Sequence, residues 1–203
     1  MIITIDGPSA SGKSTLAAGL AKFLGYSVLH TGMIYRAMAK RVLGIEDKKT
    51  IIQNAVKISY DDLNDKSLDD EIVASKASEI SKYAEIREFA DKMQIDFSRK
   101  CTDLVVEGRD SGSVVFPDAD IKFYINADVI VRAKRRYLQL KEEGKEVSLS
   151  TLLRKLEQRD EEDATRVLAP MVKPKNSYSI DTSNLTAKET IEFMLSIIKE
   201  NFG

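Results

Sequence analysis

The stretch that most constrains this chain is DGPSASGKST, residues 6 to 15, which directly follows the first apolar run. Residues 7 to 14 fit the pattern G-x-x-x-x-G-K-[ST]. Small side chains leave room for a loop whose backbone N–H groups point inward at a polyphosphate. The pattern lies between a predicted strand and a predicted helix, which is the context this motif requires. It therefore predicts a P-loop that binds a nucleoside triphosphate.

The residues of the predicted loop have distinct roles. Gly7 and Gly12 are expected to supply unusual backbone angles. Lys13 is expected to reach the β- and γ-phosphates, and Ser14 to offer its hydroxyl to Mg²⁺. The helix that begins at residues 13–15 adds partial positive charge. The predicted triphosphate-binding residues are Gly7, Pro8, Ser9, Ala10, Ser11, Gly12, Lys13, Ser14 and Thr15.

Short apolar runs alternate with longer segments of helical periodicity along the chain. Several runs are apolar at consecutive positions, as strands buried on both faces are. Strands that alternate with helices indicate an α/β fold with a five-stranded parallel sheet covered by helices on both faces. The predicted strands are 2–5, 27–29, 103–107, 121–126 and 177–181. The predicted helical stripes are Leu16/Leu20/Phe23/Leu24, Ile86/Phe89/Ala90/Met93/Phe97, Leu149/Leu152/Leu153/Leu156 and Ile191/Met194/Leu195/Ile198, the last opened by a capping box from Thr186 to Glu189.

Composition restricts the class of protein. The 203 residues suit one compact domain. The net charge of −1 gives no electrostatic footprint for nucleic acid or for an anionic membrane. Cys101 is the only cysteine, so it predicts a core thiol in a reducing compartment. No apolar run reaches about 18 residues and no leader precedes residue 6, and we expect a cytoplasmic protein, monomeric and without nucleic-acid or membrane partners.

Polar residues follow the second and third predicted strands. Thr31 and then Arg36 come after strand 2, and Glu107, Arg109 and Asp110 come at the end of strand 3. Parallel sheets place ligands at these carboxyl ends. Glu107 lies where P-loop enzymes keep an acidic group near Mg²⁺, and a water molecule could bridge the two. The arginines could grip a phosphate.

A charged segment near residue 160 has a second regular spacing. Arg159, Asp163 and Arg166 stand at i, i+4 and i+7, so they share one face if the helix continues. On this segment alone, a solvated salt-bridged surface is the better explanation of the spacing.

Taken together, these segments resemble the bacterial cytidylate kinases. The matching pieces are IDGPSASGKST, TGMIYR, VVEGRDSGSVVFPDA, RAKRRYLQL, RDEEDATRVLAP and IDTSNLT, which run in order from residue 2 to about 185. The resemblance implies transfer of the ATP γ-phosphoryl group to CMP or dCMP with Mg²⁺. It also implies one nucleoside monophosphate kinase domain with a core (1–30, 100–143 and 167–203), a region that binds the monophosphate (about 31–99) and a lid (about 144–166).

The resemblance also assigns roles to individual residues. Lys13, Arg109, Arg159 and Arg166 would be catalytic. Asp163 would contact the ribose and Asp110 the cytosine. The implied CMP-binding set is Thr31, Arg36, Ser78, Arg87, Arg109, Asp110, Arg159, Asp163 and Arg166.

The chain departs from the family pattern at three places. His30 stands where an acid usually precedes Thr-Gly, and we expect a non-catalytic role for it. Glu162 replaces a common lid arginine, for which Arg154 or Lys155 could substitute. Residues 40–75 are expected to be too short and too helical for the small extra sheet that many members insert.

The chemistry of the residues agrees with an anionic acceptor. A phosphate near neutral pH needs positioning and positive charge more than a strong base. A carboxylate can accept from the cytosine N4 amine, while arginine and serine donate to N3 and O2. Two other functions remain open at this point. The chain could phosphorylate a small-molecule hydroxyl with Asp110 as the base, or it could bind nucleotide without turnover.

Overall fold

The computed structural model describes residues 1–202, and the chain alternates strands with helices throughout. The strands are β1 (Ile2–Asp6), β2 (Ser27–His30), β3 (Leu104–Gly108), β4 (Ile121–Asn126) and β5 (Tyr178–Asp181). The helices are α1 (Lys13–Leu24), α2 (Thr31–Arg41), α3 (Lys48–Ala55), α4 (Glu71–Ile80), α5 (Ala84–Ser98), α6 (Val129–Glu142), α7 (Leu149–Thr165) and α8 (Ala187–Phe202). Each predicted strand is present within one residue or two of its predicted bounds.

The five strands form one sheet in the order β2-β3-β1-β4-β5. The pairs β1–β3, β1–β4 and β4–β5 are parallel, and Asp6 at the end of β1 stands in register with Gly108 and Tyr124. Every residue of β3 is buried, as is every residue of β1 after Ile2. Consecutive apolar positions in these strands reflect burial on both faces. The predicted α/β fold is confirmed.

The sheet core includes residues of α1 and α8. Leu16 and Leu20 of α1 are buried together with Met194 and Ile198 of α8. Phe23, which the predicted α1 stripe placed on the same face, is 71% exposed, so that part of the prediction is wrong. Phe23, the i+7 residue of the stripe, lies in the last turn of α1, just before the C-cap residue Gly25.

The predicted capping box at the start of α8 is confirmed. The backbone N–H of Thr186 donates to Glu189 over 2.8 Å, and the backbone N–H of Glu189 donates to the Thr186 hydroxyl over 3.2 Å. Cys101 was predicted to lie in the core, but its thiol is free and partly exposed. It lies in the short link between α5 and β3, and its neighbours Lys100 and Thr102 are exposed.

The chain divides into two compact units, Met1–Val28 with Thr102–Gly203 and Leu29–Cys101. The second unit holds α2 to α5, and residues 40–75 form helical segments, including 3₁₀ turns at Asp61–Asn64 and Lys66–Asp69. Those residues contain no strand, which agrees with the expectation that the small extra sheet is missing. The predicted subdivision into a core, a monophosphate-binding region and a lid stays a prediction. Among residues 1–202, no helix is long and apolar enough to cross a membrane.

Candidate active site

The loop between β1 and α1 has the backbone that a P-loop needs. Gly7 has φ 145° and Gly12 has φ 94°, as predicted from the motif. A Cβ on Gly7 would lie 1.9 Å from the carbonyl oxygen of Ile125, so only glycine fits there. Ala10 also has a positive φ, 58°. Ala10 is among the predicted loop residues, but its positive φ is not predicted, because alanine gives no signal for the left-handed region.

Lys13 lies inside this loop. Its side chain is buried, and Nζ donates to the carbonyl of Pro8 over 2.6 Å and lies 3.4 Å from the Ser11 hydroxyl. Burial, and then the nearby charge of Arg109, lower the pKa of the Lys13 ammonium to about 7, with a smaller contribution from Arg159. Lys13, Arg109 and Arg159 are therefore close enough to repel one another. Such a concentration of positive charge suits a polyanionic ligand.

Ser14 and Glu107 are brought together by α1 and β3. The Ser14 hydroxyl donates to Oε1 of Glu107 over 3.0 Å, and Glu107 is buried at the end of its strand. Both are hard oxygen donors of the kind that Mg²⁺ prefers. Among residues 1–202, no group of three or more histidine, cysteine or acidic side chains could hold a metal by itself. Mg²⁺ commonly takes only one or two protein ligands beside phosphate oxygens and water, so this pair fits it.

Asp6 is a residue of the site that the sequence analysis missed. Its carboxylate accepts from the backbone N–H groups of Ser111 and Gly112 over 2.9 and 2.7 Å. Burial, and to a smaller extent the charge of Asp110, raise the pKa of Asp6 to about 6 against the two hydrogen bonds that lower it. These bonds tie the turn after Asp110 to the last residue of β1. An acid directly before the P-loop glycine was the available signal.

Four of the predicted site residues form an ion-pair network in the first unit. Nε of Arg109 donates to Oδ2 of Asp163 over 3.0 Å. Arg166 lies 3.4 Å from Oδ1 of Asp163 and, through its other terminal nitrogen, 3.4 Å from Asp110. Burial alone would raise the pKa of Asp163, but Arg109, Arg159 and Arg166 outweigh it and hold the pKa below its ordinary value.

Arg166 reaches this network from outside the helix. The i, i+4, i+7 interpretation required the helix to continue, but α7 ends at Thr165 and Arg166 has extended backbone angles. Its Nε donates to the carbonyl of Ala169 over 2.6 Å, in a turn where Ala169 has φ 48°. The predicted single helical face is therefore wrong for Arg166, although its side chain still turns back to Asp163.

The remaining predicted residues lie in the second unit. Thr31 is buried as the first residue of α2, and Arg36 donates to the carbonyl of Leu68 over 2.6 Å and pairs with Asp69. Arg87 is buried in the first turn of α5.

Arg87 contacts helix α2 and the turn between α4 and α5. Its guanidinium carbon lies 5.7 Å from the ring centroid of Tyr35, a cation–π contact, and Nη1 donates to the carbonyl of Ser81 over 3.4 Å. The Ser81 hydroxyl in turn donates to the carbonyl of Ser78. The α4–α5 turn thus joins Ser78 to Arg87. Tyr35 is not predicted from the sequence, because a tyrosine within a helix is typical of an ordinary packing residue.

The departures from the family pattern fall at less central positions. His30 is half-buried and precedes the first residue of α2. Glu162 accepts from Gln158 one turn earlier on α7. Arg154 and Lys155 are both exposed.

Comparison with known proteins identifies relatives of this chain. A family model described as cytidylate kinase matches residues 3–200. The cytidylate kinase of Fervidobacterium nodosum is 43% identical, with 98% of this chain and 96% of the relative covered. The cytidylate kinase of Caldanaerobacter subterraneus subsp. tengcongensis is 38% identical, with 98% and 95% covered.

The fold also matches solved structures at much lower identity. Shikimate kinase from Bacteroides thetaiotaomicron superposes with a TM-score of 0.56 at 11% identity, covering 98% of each chain. TT1252 from Thermus thermophilus gives a TM-score of 0.55 at 15% identity, covering 100% of this chain and 98% of the other. These matches support the fold alone.

Proposed function

Because the chain belongs to the cytidylate kinase family, it transfers the γ-phosphoryl group of ATP to CMP or dCMP, and we propose which of its residues perform this reaction. The observation that carries the proposal is the convergence of Lys13 with the arginines of the β3 end and of α7. Positive charge is concentrated beside a phosphate-binding loop. Transfer between phosphates needs charge and alignment there.

The donor triphosphate is assigned to the P-loop, residues 7 to 15. Its inward backbone N–H groups would hold the phosphates, and Lys13 would neutralise charge shared between the β and γ groups. Lys13 donates to the loop's own carbonyl of Pro8, so the loop also orients its catalytic lysine.

Mg²⁺ is assigned to the Ser14 hydroxyl, with Glu107 beside it. When bound there, Mg²⁺ would supply positive charge to the phosphate groups. The role of Glu107 is to orient the Ser14 hydroxyl through their 3.0 Å hydrogen bond and to keep a negative charge next to that oxygen.

The acceptor is assigned to the residues that match the family's CMP-binding positions. Arg36, Arg109 and Arg166 would hold the CMP phosphate, with Thr31 beside them. The cytosine would be read by Ser78, Arg87 and Asp110, and the ribose would be bound by Asp163. Arg159 is assigned to the transferring phosphoryl group, supported by its electrostatic effect on both Lys13 and Asp163.

The arginines would act by exchange of partners. Arg109 and Arg166 are paired with Asp163 and Asp110, which are themselves proposed to bind the ribose and the base. Carboxylates that accept from substrate hydroxyl and amine groups leave the guanidiniums available to phosphate oxygens. Each charge then keeps a partner while water is excluded, which strengthens the field at the reacting phosphates.

The cytoplasmic location, the monomeric state and the absence of a nucleic-acid partner stay predictions from the sequence.

A coupled assay of ADP release tests the function. Purified enzyme with ATP and Mg²⁺ is offered CMP, dCMP, UMP, AMP and small polyols at equal concentration. We expect turnover with CMP or dCMP at least tenfold above every other acceptor. Faster turnover of a polyol would support a small-molecule kinase, and ATP binding without any ADP release would support a non-catalytic module; either result would overturn the proposal.

A further inference from the structure

Arg132 is a buried arginine to which neither the motifs nor the proposed reaction gives a role. It lies in the first turn of α6 and is 5% exposed. Its Nε donates to the carbonyl of Ala127 over 2.9 Å, Nη1 donates to the carbonyl of Ser9 over 3.1 Å, and Nη2 lies 2.6 Å from Oδ2 of Asp160. One guanidinium thus joins the P-loop, the β4–α6 connection and α7.

The contact with Ser9 fixes the outer side of the P-loop. A trans peptide points its N–H and C=O in opposite directions, so a loop that aims N–H groups at phosphate turns carbonyls away from it. Arg132 takes one of these outward carbonyls, and the Thr182 hydroxyl takes that of Ser11 over 3.3 Å. A donor behind the loop holds the peptide in the orientation that phosphate binding requires.

The contact with Asp160 fixes α7. Asp160 precedes Asp163 by three residues, so both project from the same side of the helix. Asp163 is bound to Arg109 on the following turn. Helix α7 is therefore anchored at two successive turns, once through a residue proposed to bind substrate and once through Arg132.

The energetics favour a geometric role over a stabilising one. Arg132 is buried and Asp160 is partly exposed, and the cost of removing charge from water leaves such an ion pair with little net contribution to stability. A planar guanidinium with five donors can instead hold three acceptors in fixed directions, which a lysine ammonium or an apolar side chain cannot reproduce. The benefit of this pair is the alignment of the groups it joins.

We propose that Arg132 is a positioning residue for phosphoryl transfer: by holding Ser9 and Asp160 together, it fixes the P-loop relative to the α7 segment that carries Arg159 and Asp163. The proposal rests on the function proposed above.

Four variants test it: Arg132→Met, Asp160→Asn, the double variant and Arg132→Lys, with Lys134→Met as a control that removes an exposed charge from the same helix. For each, kcat and the KM values for ATP and CMP are measured well below the melting temperature, and Tm is recorded separately. The unmodified enzyme in the same assay tests the function itself. If the unmodified enzyme does not phosphorylate CMP, the proposed function itself is refuted, and not only the positioning role of Arg132.

We expect Arg132→Met and Asp160→Asn each to lower kcat at least tenfold, with less than threefold change in either KM. The kcat of the double variant should be no more than about twofold below that of the less active single variant, because both changes break the same linkage. Arg132→Lys should recover part of kcat, and Lys134→Met should stay within twofold of the unmodified enzyme. A lowered Tm with kcat unchanged, or losses that multiply in the double variant, would overturn the proposal; Asp160→Asn and Arg132→Lys keep the test valid if Arg132→Met fails to fold.

Discussion

Nε of Arg109 donates to Oδ2 of Asp163 over 3.0 Å, which joins the end of β3 to α7 through one part-buried, hydrogen-bonded ion pair. The two residues are 54 positions apart in sequence. Both were assigned to the site from the motif resemblance, and this pairing is what brings them into one cluster. Because Arg166 also lies 3.4 Å from Asp163, this carboxylate is the centre of the network.

Removal of this carboxylate should destabilise the protein in a pH-dependent way. Asp163→Asn leaves Arg109 and Arg166 with a weaker acceptor, which we expect to lower the free energy of unfolding by about 2 kcal/mol at pH 7. The pKa of Asp163 lies below its ordinary value in the folded protein. Its stabilising contribution is therefore present above the unfolded carboxyl pKa of about 3.9 and is lost as the pH falls through the lower folded value.

Chemical denaturation of both proteins from pH 7 down to about pH 3 measures this difference. The gap between the unmodified protein and Asp163→Asn should narrow at acidic pH. A gap that widens as the pH falls would contradict the assigned pKa direction.

Asp6 should give the opposite pH dependence. Its pKa is raised from 3.8 to about 6, so the folded protein binds this proton more tightly than the unfolded chain. The contribution of Asp6 is fully present below pH 3.8 and decreases as the pH rises through about 6, by about 3 kcal/mol in total. Asp6→Asn removes this titration, so the stability advantage of the unmodified protein over the variant should shrink from pH 4 to pH 6.5. An advantage that grows over this range would show that the two backbone hydrogen bonds outweigh burial.

Lys13 should take up a proton when ATP binds. The pKa of its ammonium is about 7, so at pH 8 most of the free protein carries a neutral Lys13. Phosphate oxygens favour the charged form, and close to one proton should be bound with the nucleotide. Calorimetry at pH 8 in two buffers of different ionisation enthalpy measures this uptake. Lys13→Arg, which stays charged, is the control, and equal binding enthalpies in both buffers for the unmodified enzyme would refute the prediction.

The two P-loop glycines should differ in their tolerance of alanine. A Cβ on Gly7 would meet the carbonyl oxygen of Ile125 at 1.9 Å, whereas a Cβ on Gly12 has no heavy atom within 4 Å. Gly12→Ala therefore meets only the strain of φ 94°, about 1–3 kcal/mol, while Gly7→Ala must also displace β4. Thermal unfolding should show a larger loss of Tm for Gly7→Ala. Equal losses would mean that the clash is relieved at no cost.

Much of this arrangement could be predicted from sequence because its signals are local. The P-loop has fixed spacing, and the buried strands have consecutive apolar residues, so the sequence predicts both β1 and α1. The end of α7 was not predicted, because no glycine or proline marks Thr165 and the periodic charges continue past it. The roles of Asp6 and Arg132 depend on partners more than 100 residues away, and no local pattern reports such contacts.

The base preference of an Asp110 variant tests the central assignment most directly. Asp110→Asn removes the charge that pairs with Arg166, and this loss should affect every acceptor equally. The amide can turn either its donor or its acceptor toward position 4 of the pyrimidine, so the choice of base should relax. We predict that the ratio of kcat/KM for CMP over UMP falls by about 5- to 150-fold, the equivalent of one good base contact worth about 1–3 kcal/mol. A ratio equal to that of the unmodified enzyme would contradict the account, because Asp110 would then not read cytosine.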